Sequence, residues 1–228
     1  NFTVTETNPN TFIVNWNGTN VTVWDDSLVL HMHFNNDSSL GENNSLLADV
    51  SKYNNSGICR LDLGRCPAIN NTNYKFGGAA MTFNSTQFIN ISASAGASSS
   101  LRMNGSLTVE AWINTLDGGS REPYIMDKAG PTGDLVNFRL TLGSTNNKVN
   151  FQVFDGTRGP TSSSTTNIND GRGHHVVGVR DTAADVIRVY VNGVVEGENT
   201  DNTITGIVDT NSVIIGDRAD SLSLPSQG

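Results

Sequence analysis

Basic residues are scarce and scattered. The chain has 14 Lys and Arg against 22 Asp and Glu, a net charge of -8 at pH 7, and no Lys/Arg cluster that could neutralise a run of phosphates, which excludes nucleic acid as a partner. Charged residues of both signs make up only 16%, against roughly 25% in an ordinary domain. Asn, Ser and Thr take their place, as on extracellular surfaces. Long apolar runs are lacking too: none approaches the ~20 residues that span a bilayer. Asn1-Phe2-Thr3 carries neither a basic n-region nor an apolar h-region, so a soluble chain is expected, with any signal peptide removed. Helical periodicity is missing from every window of a dozen residues. Cysteine is limited to Cys59 and Cys66, flanked by turn formers, with no further Cys or His at metal-ligand spacing nearby. A local disulfide in an oxidising compartment follows, stabilising by about 2 to 3 kcal/mol on the chain-entropy estimate.

What is present is period-two alternation of β-branched and aromatic residues with polar ones, the signature of strands. The 228 residues, 36% hydrophobic with 23 glycines, suffice for one large all-β domain with a packed core. Thr11 to Trp16 and Thr19 to Trp24 flank Asn17-Gly18, a pair suited to the positive φ angles of a hairpin turn. Further strands are predicted over residues 27–34, 79–84, 88–92, 106–114, 124–128, 136–142, 148–154, 174–181, 186–191 and 212–216, and about a dozen strands need two antiparallel sheets, a β-sandwich. Residues 35–57 and 159–166 lack strand pattern and read as surface loops. Asn-x-Ser/Thr occurs at Asn1, Asn17, Asn20, Asn36, Asn43, Asn54, Asn70, Asn84, Asn90 and Asn104, and nowhere beyond. Chance in an Asn-rich chain would spread these acceptors evenly, so the clustering predicts N-glycans on the first half and a barer second half.

Three segments in order carry a resemblance: Tyr74-Lys75-Phe76-Gly77-Gly78-Ala79-Ala80-Met81-Thr82-Phe83-Asn84, then Gly105-Ser106-Leu107-Thr108-Val109-Glu110-Ala111-Trp112-Ile113, then His174-His175-Val176-Val177-Gly178-Val179-Arg180-Asp181 with Ile187-Arg188-Val189-Tyr190-Val191-Asn192-Gly193. Together they resemble the concanavalin A-like, laminin G-type jelly-roll domains. Leu28 to Phe34 is similar to the family's first strand and Val213 to Gly216 to its penultimate one, so the likeness covers about residues 27 to 217. It implies a jelly roll over 27–228, preceded by a strand or hairpin extension over 1–26 that the family pattern lacks. Asp217 to Gly228 lacks the final strand that the pattern includes.

Candidate sites are few. His31 and His33 share one strand face, but two imidazoles do not close a metal site. His174-His175 matches a pair that the family places before a core strand, where neighbours face opposite sides. Glu110 stands alone, with Thr108 and Trp112 where a glycosidase would need a second carboxylate. No nucleophile elbow is present either, so the chain is expected not to be an enzyme. Asp49, followed by Val50-Ser51 and Asn55-Ser56-Gly57, resembles the family loop whose carboxylate and backbone oxygens suit calcium, so the resemblance implies calcium as an ion that can bind there, with no cofactor required.

The expected function is therefore structural: a secreted, N-glycosylated surface protein that partners with itself, the extension over 1–26 acting as a donor strand that builds a filament or surface layer. The alternative is a lectin-like adhesion module, with glycans as ligand, belonging to a larger cell-surface protein.

Overall fold

The computed structural model describes residues 12–16, 19–24, 26–92, 99–116, 123–129, 136–143, 147–203 and 211–217, the first two stretches as backbone only. Alternation translates into strands: β1 (Phe12–Trp16), β2 (Thr19–Trp24), β3 (Leu46–Leu47), β4 (Gly57–Ile58), β5 (Ala68–Asn70), β6 (Ala80–Thr82), β7 (Ile89–Ile91), β8 (Leu107–Asn114), β9 (Tyr124–Ala129), β10 (Val136–Leu142), β11 (Lys148–Val153), β12 (Thr161–Asn167), β13 (Gly173–Asp181), β14 (Val186–Val191), β15 (Val194–Thr200) and β16 (Val213–Ile215). Eight form one sheet, in the order β12-β11-β10-β9-β16-β7-β4-β3, and four form the facing sheet, β15-β14-β13-β8. β5 and β6 make a separate ribbon, and among the described residues β1 and β2 pair only with each other, Trp16 opposite Thr19. No α-helix occurs among the described residues.

The core lies between the sheets because each strand turns every second side chain inward. β11 buries Val149, Phe151 and Val153, and β14 buries Ile187, Val189 and Val191 opposite them. Gly178, midway along β13, has no space for a Cβ because the Phe151 ring of the other sheet presses against its backbone. Val109 is buried on the inner face of β8 while Glu110 and Trp112 are exposed on the outer one, as the pleat demands. The β14–β15 hairpin turns at Asn192 and Gly193, with φ of 51° and 81°.

One long edge of the sandwich is stitched shut. Glu196 on β15 accepts hydrogen bonds from the Thr165 and Thr166 amides of β12 at 2.9 and 2.7 Å, and Asn199 donates to the Thr161 carbonyl at 3.0 Å. A side chain at Gly197 would collide with the Ser163 carbonyl, so the two sheets meet there backbone to backbone.

Three sequence expectations need correction. Residues 159–166 are largely the edge strand β12, not a loop; its inward positions are Ser162 and Ser164, small polar residues that the close approach at Gly197 requires, and these concealed it. Residues 35–57 contain the short β3 and the start of β4. Residues 27–34 run without joining a sheet, because the bonds a partner strand would make go instead to residues 49–55. The expected loss of a strand after Gly216 concerns residues 218–228, which lie outside the described residues.

Candidate functional site: the open edge of the sandwich

Opposite the stitched edge the described residues leave the sandwich open. β8 ends the four-stranded sheet, and between it and residues 27–35 runs a cleft of about 2130 Å³. Adjacent residues of an extended chain direct their backbone groups to opposite sides. The amide of His31 donates to Asp49 Oδ1 at 2.8 Å, its carbonyl accepts from Val50 N at 2.9 Å, and the Val29 carbonyl accepts from Asn55 Nδ2 at 2.7 Å. Positions 29 and 31 are thus tied outward, which leaves the backbone groups of Leu30 and Met32 on the opposite, cleft side. β8 is tied to β13 along one side, from Leu107↔Arg180 to Asn114↔Gly173, and no described strand pairs with its other side. Two extended segments, residues 28–34 and β8, therefore wall the cleft, each with a backbone edge that no described strand joins.

The lining is apolar and adaptable. Every half-buried apolar residue that packs on the core, including Leu30, Phe34, Ala111 and Ile113, lines this cleft. So do all four methionines, Met32, Met81, Met103 and Met126, whose flexible side chains mould to varied partners. Sequence patterning could not find this cluster, since the four are spread over almost a hundred positions and only the topology unites them.

At the outer rim Trp112 stacks on His175, centroids 5.2 Å apart, with Phe76 edge-on at 5.9 Å and Lys75 Nζ 4.2 Å from the ring centroid. Phe76 and Tyr74 are largely exposed. Glu110 Oε2 lies 3.4 Å from His175 Nε2. Burial, then the neighbouring His33, lowers the pKa of His31, while Asp49 and Glu110 act in the opposite sense.

The sequence-predicted residues fall as follows. His31 and His33 meet edge to face with ring centroids 4.7 Å apart, and among the described residues no three His, Cys, Asp or Glu side chains converge as metal ligands. His174 is buried, its ring nitrogens 3.0 Å from Asp170 Oδ1 and 3.1 Å from Asn192 Nδ2, while His175 faces out onto Trp112. The Asp49 carboxylate already accepts from the amides of His31, Ser51 and Asn55 and from the Ser51 hydroxyl at 2.6–2.9 Å. This donor-saturated group does not fit a calcium ion, which needs six to eight free oxygens. Cys59 and Cys66 are joined, Sγ to Sγ, 2.02 Å apart. Asn36, Asn43, Asn54, Asn84 and Asn104 are exposed; Asn70 and Asn90 are half-buried, with the Asn90 Oδ1 enclosed and unpartnered. Asn1, Asn17 and the Asn20 side chain lie outside the described residues.

These features define a β-sandwich of jelly-roll type with one stitched edge and one open, methionine-lined edge. A sequence profile of the concanavalin A-like lectin/glucanase superfamily, laminin G type, matches residues 84–228. The chain belongs to that superfamily. Among solved structures it is similar to the binding domain of Paraclostridial Mosquitocidal Protein 1 (12% identity, TM-score 0.57, 75% of this chain and 43% of that one). It is also similar to the botulinum neurotoxin serotype D binding domain (14%, 0.53, 84% and 43%) and to domains LG4-5 of the mouse laminin α1 chain (17%, 0.44, 55% and 32%). The chain spans less than half the length of these structures, and the likeness to the first two concerns the fold alone. No curated protein sequence matches it. No described helix is long and apolar enough to cross a membrane.

Proposed function

We propose that the protein is a non-catalytic, extracellular, N-glycosylated structural module that assembles with copies of itself, into a filament or surface layer, by strand addition at the open edge of its sandwich. The cleft between β8 and residues 27–34 carries this reading. It combines two backbone edges that pair with no described strand, and so can supply main-chain hydrogen bonds, with an apolar methionine-rich floor for alternate side chains, the two ingredients of β-augmentation. The donor segment is residues 1–24, where Phe2, Val4, Phe12, Val14, Trp16, Val21 and Val23 alternate with other residues, and whose β1–β2 hairpin belongs to neither sheet. Residues 217–228 offer only Leu222 and Leu224 before Pro225, a poor inserting strand. A strand given to a neighbour makes a head-to-tail contact, which propagates into open fibres unless it closes. Catalysis has no support in the site, because Glu110 is partnered by His175 rather than by a second carboxylate. Deleting residues 1–24 and measuring size by native light scattering tests the reading. Wild type is expected to form oligomers and the deletion monomers; two well-folded monomers would reject it.

A second reading, a lectin-like adhesion module, is favoured by the exposed Trp112, Phe76 and Tyr74 around Lys75. Aromatic faces bordered by polar groups suit a sugar ring. Loss of glycan-array binding on Trp112→Ala in a chain that does not assemble would favour it.

A further inference from the structure

We infer that the open cleft is a site of oxidative modification: a peroxide converts Met32, Met81, Met103 and Met126 to methionine sulfoxides, and the polar floor that results no longer accepts a strand. The effect on assembly rests on strand addition at this cleft; the modification itself rests on the cleft alone. Sulfur in this chain is divided by chemistry and by place. Both cysteines are joined in the Cys59–Cys66 disulfide and no free thiol remains, so the four thioethers are the sulfur atoms left for a peroxide to attack. Among the described residues the buried core cluster between the sheets is built from Leu, Ile, Val and Phe alone, with no methionine. Instead the four methionines come from separate parts of the chain, the wall segment 28–34, β6, the approach to β8, and β9, and each is half-buried in the lining of this one cleft. A thioether sealed in the core is shielded, whereas a half-buried one is within reach of a molecule as small as hydrogen peroxide.

The chemistry is a two-electron oxygen transfer. A sulfur lone pair attacks one peroxide oxygen, the O–O bond breaks as the S–O bond forms, and the departing oxygen leaves as water, or as an alcohol from an organic hydroperoxide; the sulfur is oxidised and the peroxide reduced. Leu30, Phe34, Ala111 and Ile113 share the lining and do not react, so the change is confined to the sulfurs. A flexible apolar side chain becomes a polar one that accepts hydrogen bonds. An entering strand would cover those oxygens with its apolar side chains, and each one buried without a hydrogen bond should weaken docking about tenfold. Met126 cannot be withdrawn by moving its strand, because β9 is paired on both sides, with β10 and with β16.

The test treats the full chain with dilute hydrogen peroxide at neutral pH. Peptide mass mapping follows sulfoxide at each methionine, native light scattering follows size, and a labelled synthetic peptide of residues 1–24 reports binding to the cleft. All four methionines should oxidise at rates approaching that of N-acetylmethionine amide, and more slowly in protein that has already assembled. The oxidised chain should stay small and bind the peptide at least about tenfold more weakly, with its far-ultraviolet circular dichroism unchanged. Methionines that remain thioethers until urea unfolds the chain would overturn the modification. Complete oxidation with assembly and peptide binding unchanged would overturn its effect while strand addition stands, and so would loss of assembly with all four thioethers intact. If the untreated chain neither assembles nor binds the peptide, strand addition fails, and fluorescence of anilinonaphthalene sulfonate then reads the apolar floor by itself: a drop on oxidation supports the modified site, and an unchanged signal rejects it.

Discussion

Arg180 on β13 and Asp201, just past β15, meet Nε to Oδ2 at 2.7 Å with both side chains almost fully buried. The guanidinium also donates to Thr203 Oγ1 at 2.7 Å, and Asp201 accepts from the Thr203 amide at 3.0 Å. The pair fastens the chain leaving β15 to the inner face of the four-stranded sheet.

Removing one partner strands the other charge, so Asp201→Ala should cost about 3–5 kcal/mol in urea denaturation, and Arg180→Met with Asp201→Leu together much less. The pH dependence follows from the direction of the Asp201 shift. Burial pushes this carboxyl up, but the hydrogen bonds from Thr203 and Arg180 outweigh it and hold it below the usual carboxylate range. A depressed folded-state value gives stability that is complete above the unfolded value near 4 and lost as pH falls through the folded one. Asp201→Asn should therefore weaken the protein at pH 7 yet flatten its loss of stability as pH falls below about 4; an unchanged acid slope would sink the assignment.

Gly178 and Phe151 give a packing test. A methyl at Gly178 would collide with the Phe151 ring, so Gly178→Ala should cost about 1–3 kcal/mol or more. Phe151→Leu alone opens a cavity, but in the Gly178→Ala background the smaller side chain yields room. The double mutant should be more stable than the sum of the single losses implies, as thermal unfolding of the four proteins would measure.

Much of the fold could be read in the sequence because β8, β13 and β14 each repeat a strict inward-outward alternation, and Asn192-Gly193 announces the turn from β14 into β15. The edge β12 could not: its core-facing Ser162 and Ser164 look like loop residues until Gly197 is seen to bring β15 against them. Leu28 to Phe34 reads as a strand because its side chains alternate as one; whether a strand has a neighbour is a fact about topology, not composition. The open cleft inherits that limit. Met32, Met81, Met103 and Met126 carry no periodic signal, and Trp112, read as a strand residue, proved to be exposed on the outer face.

The disulfide closes the loop that follows Ile58, the β4 residue that pairs with Leu46 and Asn90, so it staples the β3–β4 end of the larger sheet. Cys59→Ser with Cys66→Ser should lose about 2–3 kcal/mol, with faster amide exchange at residues 46–47 and 57–58 and little change in β11 or β14. Uniformly raised exchange would contradict a local role, and mass spectrometry of a non-reduced digest would expose any bridge between chains.

The sequons divide by accessibility. At Asn43, Asn54 and Asn84 the side-chain carbonyl accepts from the hydroxyl of Ser45, Ser56 and Thr86 two residues on, at 2.9, 3.2 and 2.9 Å, and all three are exposed, as are Asn36 and Asn104. Glycopeptide mapping of protein from its native source should find sugar on several of these five and none on Asn90, whose carbonyl oxygen is enclosed. Occupancy at Asn90 with the five bare would overturn the accessibility argument.

Asp49 distinguishes an ion site from a structural pin. As a calcium ligand it would leave its loop poorly held without the ion, and adding calcium would raise stability by mass action. As a pin, its buried carboxylate is already satisfied by three amides and a hydroxyl, so calcium or a chelator should leave the thermal midpoint unmoved. Asp49→Ala would then orphan the amides of Ser51 and Asn55 and release His31, at about 2–4 kcal/mol given that hydrogen bonds to a charged group contribute roughly 1.5–3 each. Because His31 lies on the wall of the cleft, the same substitution should weaken binding of the residue 1–24 peptide, whereas Asp49→Asn, which keeps one carbonyl acceptor, should recover part of both losses. A calcium-dependent rise in the wild-type midpoint that disappears in Asp49→Asn would identify an ion site instead.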